Sequence, residues 1–123
     1  MKKIALIEDD KILSDSVYSG LKDAGFAVVR AFDGEEGLKV VETEKPDLVL
    51  LDILLPKLNG LDVAKKLKSN PLTKAIPIII LSVLDKSASV AEALDSGVYE
   101  YMAKGNLTVE EIVARVKEKL GGS

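Results

Sequence analysis

Residues 48–60 read LVLLDILLPKLNG. Four apolar residues run unbroken into Asp52, and leucine, isoleucine, a proline and an Asn-Gly pair follow. A short continuous apolar run marks a strand covered on both faces, as in a parallel sheet. A carboxylate among aliphatic side chains is costly to bury without compensation, so Asp52 calls for a chemical reason.

Outward from this stretch, apolar runs alternate with amphipathic ones. Strands are expected at 4–7, 26–31, 47–52, 76–82 and 98–103. Helices are expected at 11–24, stopped by Gly25, then at 34–42 (weakened by Gly37), 60–68 and 89–97. A last helix opens at Thr108, where Thr108 and Glu111 have capping-box spacing, and Val109, Ile112, Val113, Val116 and Leu120 share one of its faces. Five strand–helix pairs with right-handed crossovers predict an α/β fold. The expected architecture is a three-layer, doubly wound, five-stranded parallel sheet of order 2-1-3-4-5. Ligands of such sheets bind beyond the carboxyl ends of the strands, where strands 1 and 3 part.

The 123 residues, 47% of them hydrophobic, suit one domain over 1–120. The tail 121–123, Gly-Gly-Ser, reads as a frayed end or a cloning remnant. There is no cysteine and no histidine, which excludes disulfides, thiolate metal sites and histidine acid–base chemistry. Any metal should be a hard cation held by oxygen. The net charge of −3 argues against direct contact with nucleic acid. The apolar runs are too short to cross a membrane, and the opening MKKIALIEDD is too short for a secretory signal. A cytoplasmic location is the default expectation.

Asp52 closes strand 3, and Glu8, Asp9 and Asp10 follow strand 1. In the expected order these carboxylates meet at the switch point and repel one another. A divalent cation relieves the repulsion, and Mg²⁺ suits a site with few protein carboxylates. Strand 4 ends at the hydroxyl of Ser82, and Lys104 follows strand 5. Carboxylates, a hard cation, a hydroxyl and an ammonium group together suit a phosphoryl group.

With Glu8-Asp9 after strand 1, D-x-x-L-P-x-x-N-G from Asp52, and Ser82, Tyr101 and Lys104 at their spacings, the chain resembles the receiver domain of two-component response regulators. The resemblance covers essentially the whole chain and implies a flavodoxin-like, CheY-like fold. It implies that Asp52 takes a phosphoryl group from a sensor histidine kinase or a histidine phosphotransfer protein. Mg²⁺ would be bound by Asp9 directly, by Glu8 largely through water, by Asp52, and by the backbone carbonyl of Leu54. Ser82 and Lys104 would contact the phosphoryl oxygens. Ser82 and Tyr101 would then rearrange the face formed by helix 89–97, strand 98–103 and the last helix, which a downstream protein reads. The resemblance allows a monomer or a phosphorylation-dependent dimer, and either a single-domain regulator or one unit of a longer protein.

Several residues have plainer roles. Asp10 is expected to cap helix 1, although the acidic triplet leaves the register of the pair open by one residue. Pro56 and Gly60 shape the loop after strand 3, and Gly34 and Gly97 read as turn glycines. Gly105 stands where the family has a proline after a cis bond. A cis bond to any other residue costs roughly 3 kcal/mol, so Gly105 points to a looser seat for Lys104. Leu54 and the bulky Val83 are expected to hinder water and prolong the phosphorylated state. Three other classes compete. A small Mg²⁺-dependent aspartyl phosphatase should carry a second acid where Leu54 stands. A flavodoxin-type electron carrier should not have the acidic EDDK loop, and an interaction module that takes no phosphate would not need the full set of Asp52, Asp9, Ser82 and Lys104.

Overall fold

The computed structural model describes residues 1–53, 55–82, 100–103 and 107–121. Strands β1 (Lys3–Ile7), β2 (Ala27–Ala31), β3 (Leu48–Leu51), β4 (Ile78–Ser82) and β5 (Glu100–Ala103) form one parallel sheet of order β2-β1-β3-β4-β5, as expected. Helices α1 (Lys11–Asp23), α2 (Gly34–Glu44), α3 (Gly60–Ser69) and α4 (Val109–Lys119) accompany it. The expected helix at 89–97 and the start of the last strand at 98–99 lie outside the described residues.

Alternation along each strand divides the core between the two faces. Ala5, Ile7, Val49, Leu51, Ile78 and Ile80 pack with Val41, Leu61 and Leu67 of α2 and α3. Ile4, Leu6, Leu48, Leu50, Ile79 and Leu81 pack with Val17, Leu21, Ile112 and Val116 of α1 and α4. Both faces of β1, β3 and β4 are therefore dry, which is why their sequences are continuously apolar.

Each described helix opens on an oxygen-bearing cap. Asp10 accepts from the amides of Ile12 and Leu13 at 3.1 and 3.2 Å. Asp33 accepts from Glu36 at 2.8 Å, and Asn59 from Leu61 at 2.7 Å. The Thr108–Glu111 capping box closes in both directions. At the other end of α1, Gly25 takes φ +95° and ends the helix where expected.

The differences from expectation are local. Phe26 precedes β2 rather than opening it, yet is buried in the core. Pro77 precedes β4, but its carbonyl still accepts from Val49 at 3.0 Å. Helix α2 runs past residue 42 to Glu44 and stops at Lys45 in the left-handed region. Gly34 is not a turn glycine. It is the buried first residue of α2, held there by a close backbone approach. Among the described residues no helix is long and apolar enough to cross a membrane.

Candidate functional site

The β1–β3 register sets Ile7 beside Leu51, so Glu8 and Asp52 leave the sheet side by side. The Asp52 amide donates to Ile7 O at 3.0 Å, and the Glu8 amide donates to Ala31 O at 3.1 Å. These backbone bonds carry the ladder one residue beyond the strands and fix where both side chains emerge. Glu8 is 1% exposed and Asp52 4%, whereas Asp9 faces solvent. One carboxylate oxygen from each of Glu8, Asp9 and Asp52 can be chosen so that all three lie within 4.8 Å of one another.

The β1–α1 turn explains which acids take part. Glu8 Oε2 accepts from the Asp10 amide at 3.0 Å, which pulls the turn tight over β1. The Asp10 carboxylate is committed to the first turn of α1. The acids that gather with Asp52 are thus Glu8 and Asp9, while Asp10 caps α1. Three carboxylates gathered at a largely buried point, with oxygen as the only donor type, fit a hard divalent cation such as Mg²⁺.

The β3–α3 loop forms the other wall. The Ile53 carbonyl accepts from Leu55 N at 3.0 Å and from Gly60 N at 2.8 Å, closing the loop on its own base. Gly60 lies so close beneath it that a methyl group there would stand 2.0 Å from the Asp52 carbonyl oxygen. The tip is held from outside, since Gly34 N donates to Pro56 O at 3.1 Å. A methyl group on Gly34 would stand 1.7 Å from Leu58 O.

Ser82 ends β4 opposite Ala103, the last residue of β5, and Tyr101 pairs with Ile80 within the sheet. Both therefore belong to strands reaching the rim where the acids gather. Lys104, Gly105, Leu54 and Val83 lie outside the described residues. Sequence reasoning passed over the contacts of Asp33 and Gly34 with the loop. Their partners are far away in the chain, and nothing local marks them.

The model of the response regulator receiver domain matches residues 4–117. The alkaline phosphatase synthesis transcriptional regulatory protein PhoP of Bacillus subtilis is 40% identical over 94% of this chain and 47% of its own length. The CheY-like receiver domain protein of Methanospirillum hungatei superposes with a TM-score of 0.91 at 27% identity, covering 98% of this chain and 94% of that one. The Mn²⁺-bound form of the response regulator Rcp1 superposes with a TM-score of 0.85 at 27% identity, covering 96% and 93%. The chain spans about half the length of the curated relatives it matches. With the receiver model matched from the first strand to the last helix on a sheet of receiver topology, the chain belongs to the response regulator receiver domain family of two-component signalling.

Proposed function

We propose that this receiver domain accepts a phosphoryl group on Asp52 in a Mg²⁺-dependent step and passes the signal on through a change of surface. The observation that carries the reading is the meeting of Glu8, Asp9 and Asp52 oxygens within 4.8 Å at the carboxyl rim. In the proposed step a carboxylate oxygen of Asp52 attacks the phosphorus of a phosphohistidine on a sensor kinase or phosphotransfer protein. The P–O bond forms as the P–N bond breaks, and the departing imidazole nitrogen keeps the electron pair. The product is an acyl phosphate on Asp52.

Bound Mg²⁺ supplies neutralisation of the charge that gathers on the phosphoryl oxygens. Asp9, Glu8, Asp52 and the carbonyl of Leu54 are the residues proposed to hold it. That Rcp1 has a Mn²⁺-bound form supports, by similarity, a divalent cation for this domain. Lys104 and Ser82 are proposed to contact the phosphoryl oxygens, and Ser82 with Tyr101 to carry the change toward β5 and α4. The domain would act as a switch that modifies itself and turns over no external substrate. Its proposed setting is the cytoplasm. The output is proposed to reach a downstream protein, or an effector domain in the same polypeptide, since relatives of about twice this length are named transcriptional regulators.

Incubation with acetyl phosphate and Mg²⁺, followed by intact mass, tests the reading. The expected result is a gain of one phosphoryl group that chelator prevents and that Asp52→Ala abolishes. A protein that stays unmodified would leave a receiver-like interaction module as the better reading. Steady release of phosphate from a small ester would instead indicate an aspartyl phosphatase.

A further inference from the structure

Among the described residues, two that are not glycine have positive φ: Lys45 and Lys57. Lys45 is a helix C-cap, a place where the left-handed region is ordinary. Lys57, at φ +69°, is not at a helix end. Its neighbours close a three-residue turn in which Leu58 N donates to Pro56 O at 2.7 Å. An i to i+2 bond around a positive φ is the rare, strained form of γ-turn. A lysine held there implies that the surroundings impose the conformation.

The surroundings are identifiable. The Pro56 carbonyl that closes the turn also accepts from Gly34 N at 3.1 Å. Gly34 presents its bare Cα to the Leu58 carbonyl. Lys57 Nζ lies 3.7 Å from Oδ2 of Asp33, the residue that caps α2. The start of α2 thus grips the tip of the loop at two backbone points and one side chain. The base of the same loop rests on the Asp52–Ile53 backbone through Gly60. The tip and the acidic site are joined by a short run of chain anchored at both ends.

From this we infer that Lys57 and Gly34 are positioning residues. The strained turn at Lys57, clamped by the start of α2, sets the β3–α3 loop against the Asp52 backbone and so fixes the cation-binding arrangement of the rim. The inference rests on the cation-dependent reading of the site given above. The operative element is the backbone of residue 57 and not its ammonium group, whose side chain is 63% exposed.

Substitutions at position 57 separate backbone from side chain. Lys57→Gly removes the ion pair and makes the positive φ easy. Lys57→Met removes the ion pair and leaves the φ preference of a straight-chain residue. Lys57→Val removes the ion pair and strongly opposes positive φ. The measurements are the Mg²⁺ dissociation constant by calorimetry and the urea unfolding midpoint in chelator. Lys57→Gly and Lys57→Met are expected to bind Mg²⁺ within about twofold of the wild type, and Lys57→Val about tenfold more weakly. Gly34→Ala is expected to weaken Mg²⁺ binding in the same way. If that variant fails to fold, the comparison at position 57 still decides.

A Lys57→Val protein with a lowered midpoint but wild-type Mg²⁺ affinity would show that the turn serves stability alone, and would overturn the inference. Equal weakening in all three variants would assign the effect to the ammonium group and overturn it as well. A wild-type protein that binds no Mg²⁺ would instead remove the reading of the site on which the inference rests.

Discussion

The β1–α1 loop turns from strand to helix within residues 8–10, whereas the β3–α3 loop takes residues 52–59. The first is built from acids, and its side chains do the fixing. Glu8 holds the Asp10 amide, and Asp10 holds the amides of Ile12 and Leu13. The second is mostly apolar and fixed by its backbone. Ile53 O accepts two amides, Pro56 O accepts two more, and glycines press against it from both ends. One loop brings charge to the rim and the other brings shape. A substitution should therefore act by chemistry in the first and by geometry in the second, with Asp52 at the point where both apply.

The largest expected effect lies at that point. Asp52→Asn should abolish the phosphoryl gain seen by intact mass while the fold persists. It should also lose most of the stabilisation by Mg²⁺. Ligand at tenfold its dissociation constant stabilises a native protein by about 1.4 kcal/mol, and the urea midpoint with and without Mg²⁺ measures this. A variant stabilised as much as the wild type would mean that the cation sits elsewhere.

Gly60→Ala tests the geometric loop next. The added methyl group meets the backbone carbonyl of Asp52 and not a side chain that could rotate away. Overpacking of this kind costs about 2–3 kcal/mol, and urea denaturation in chelator should show a loss of that size. A loss under 1 kcal/mol would indicate that the loop gives way easily, and the contrast between the two loops would weaken. Asp10→Ala is the matching test in the acidic loop. It removes a cap worth about 1 kcal/mol and should leave the Mg²⁺ dissociation constant within a factor of about two. Asp9→Ala should do the reverse. If Asp10→Ala weakened Mg²⁺ binding as strongly as Asp9→Ala, Asp10 would belong to the cation site and the register of the pair would be Asp9–Asp10.

What could be read from the sequence follows the same division. Glu8, Asp9 and Asp52 announce themselves because acids at the ends of apolar runs are rare and costly, and the sheet order then brings them together. Asp10 and Thr108 are legible as caps because capping depends on residues only two or three positions away. The clamp on the β3–α3 loop is not legible. Gly34 looks like any glycine beside an aspartate, and its reason for being glycine is a carbonyl at Leu58, on another element. Gly37 carries the same lesson. It reads as a weak point in a helix, but a methyl group there would stand 2.8 Å from the side chain of Ile7 on β1. The starts of β2 and β4 are less legible, at Phe26 and Pro77, because burial and ladder bonding begin one residue before the first regular one.

The smallest effect belongs to the ion pair that, among the described residues, links the tip of the geometric loop to the cap of α2. Asp33 has two tasks there, since Oδ1 caps the helix at Glu36 while Oδ2 faces Lys57 Nζ at 3.7 Å. Asp33→Asn keeps an oxygen for the cap and removes the charge, and asparagine caps about as well as aspartate. Only the ion pair is then lost. With Lys57 well exposed, such a pair is worth under about 0.5 kcal/mol. The urea midpoint should shift by no more than that, and added salt should shrink the difference further by screening. A loss above 1 kcal/mol that survives high salt would show that a charge holds the β3–α3 loop. The two loops would then differ in degree and not in kind.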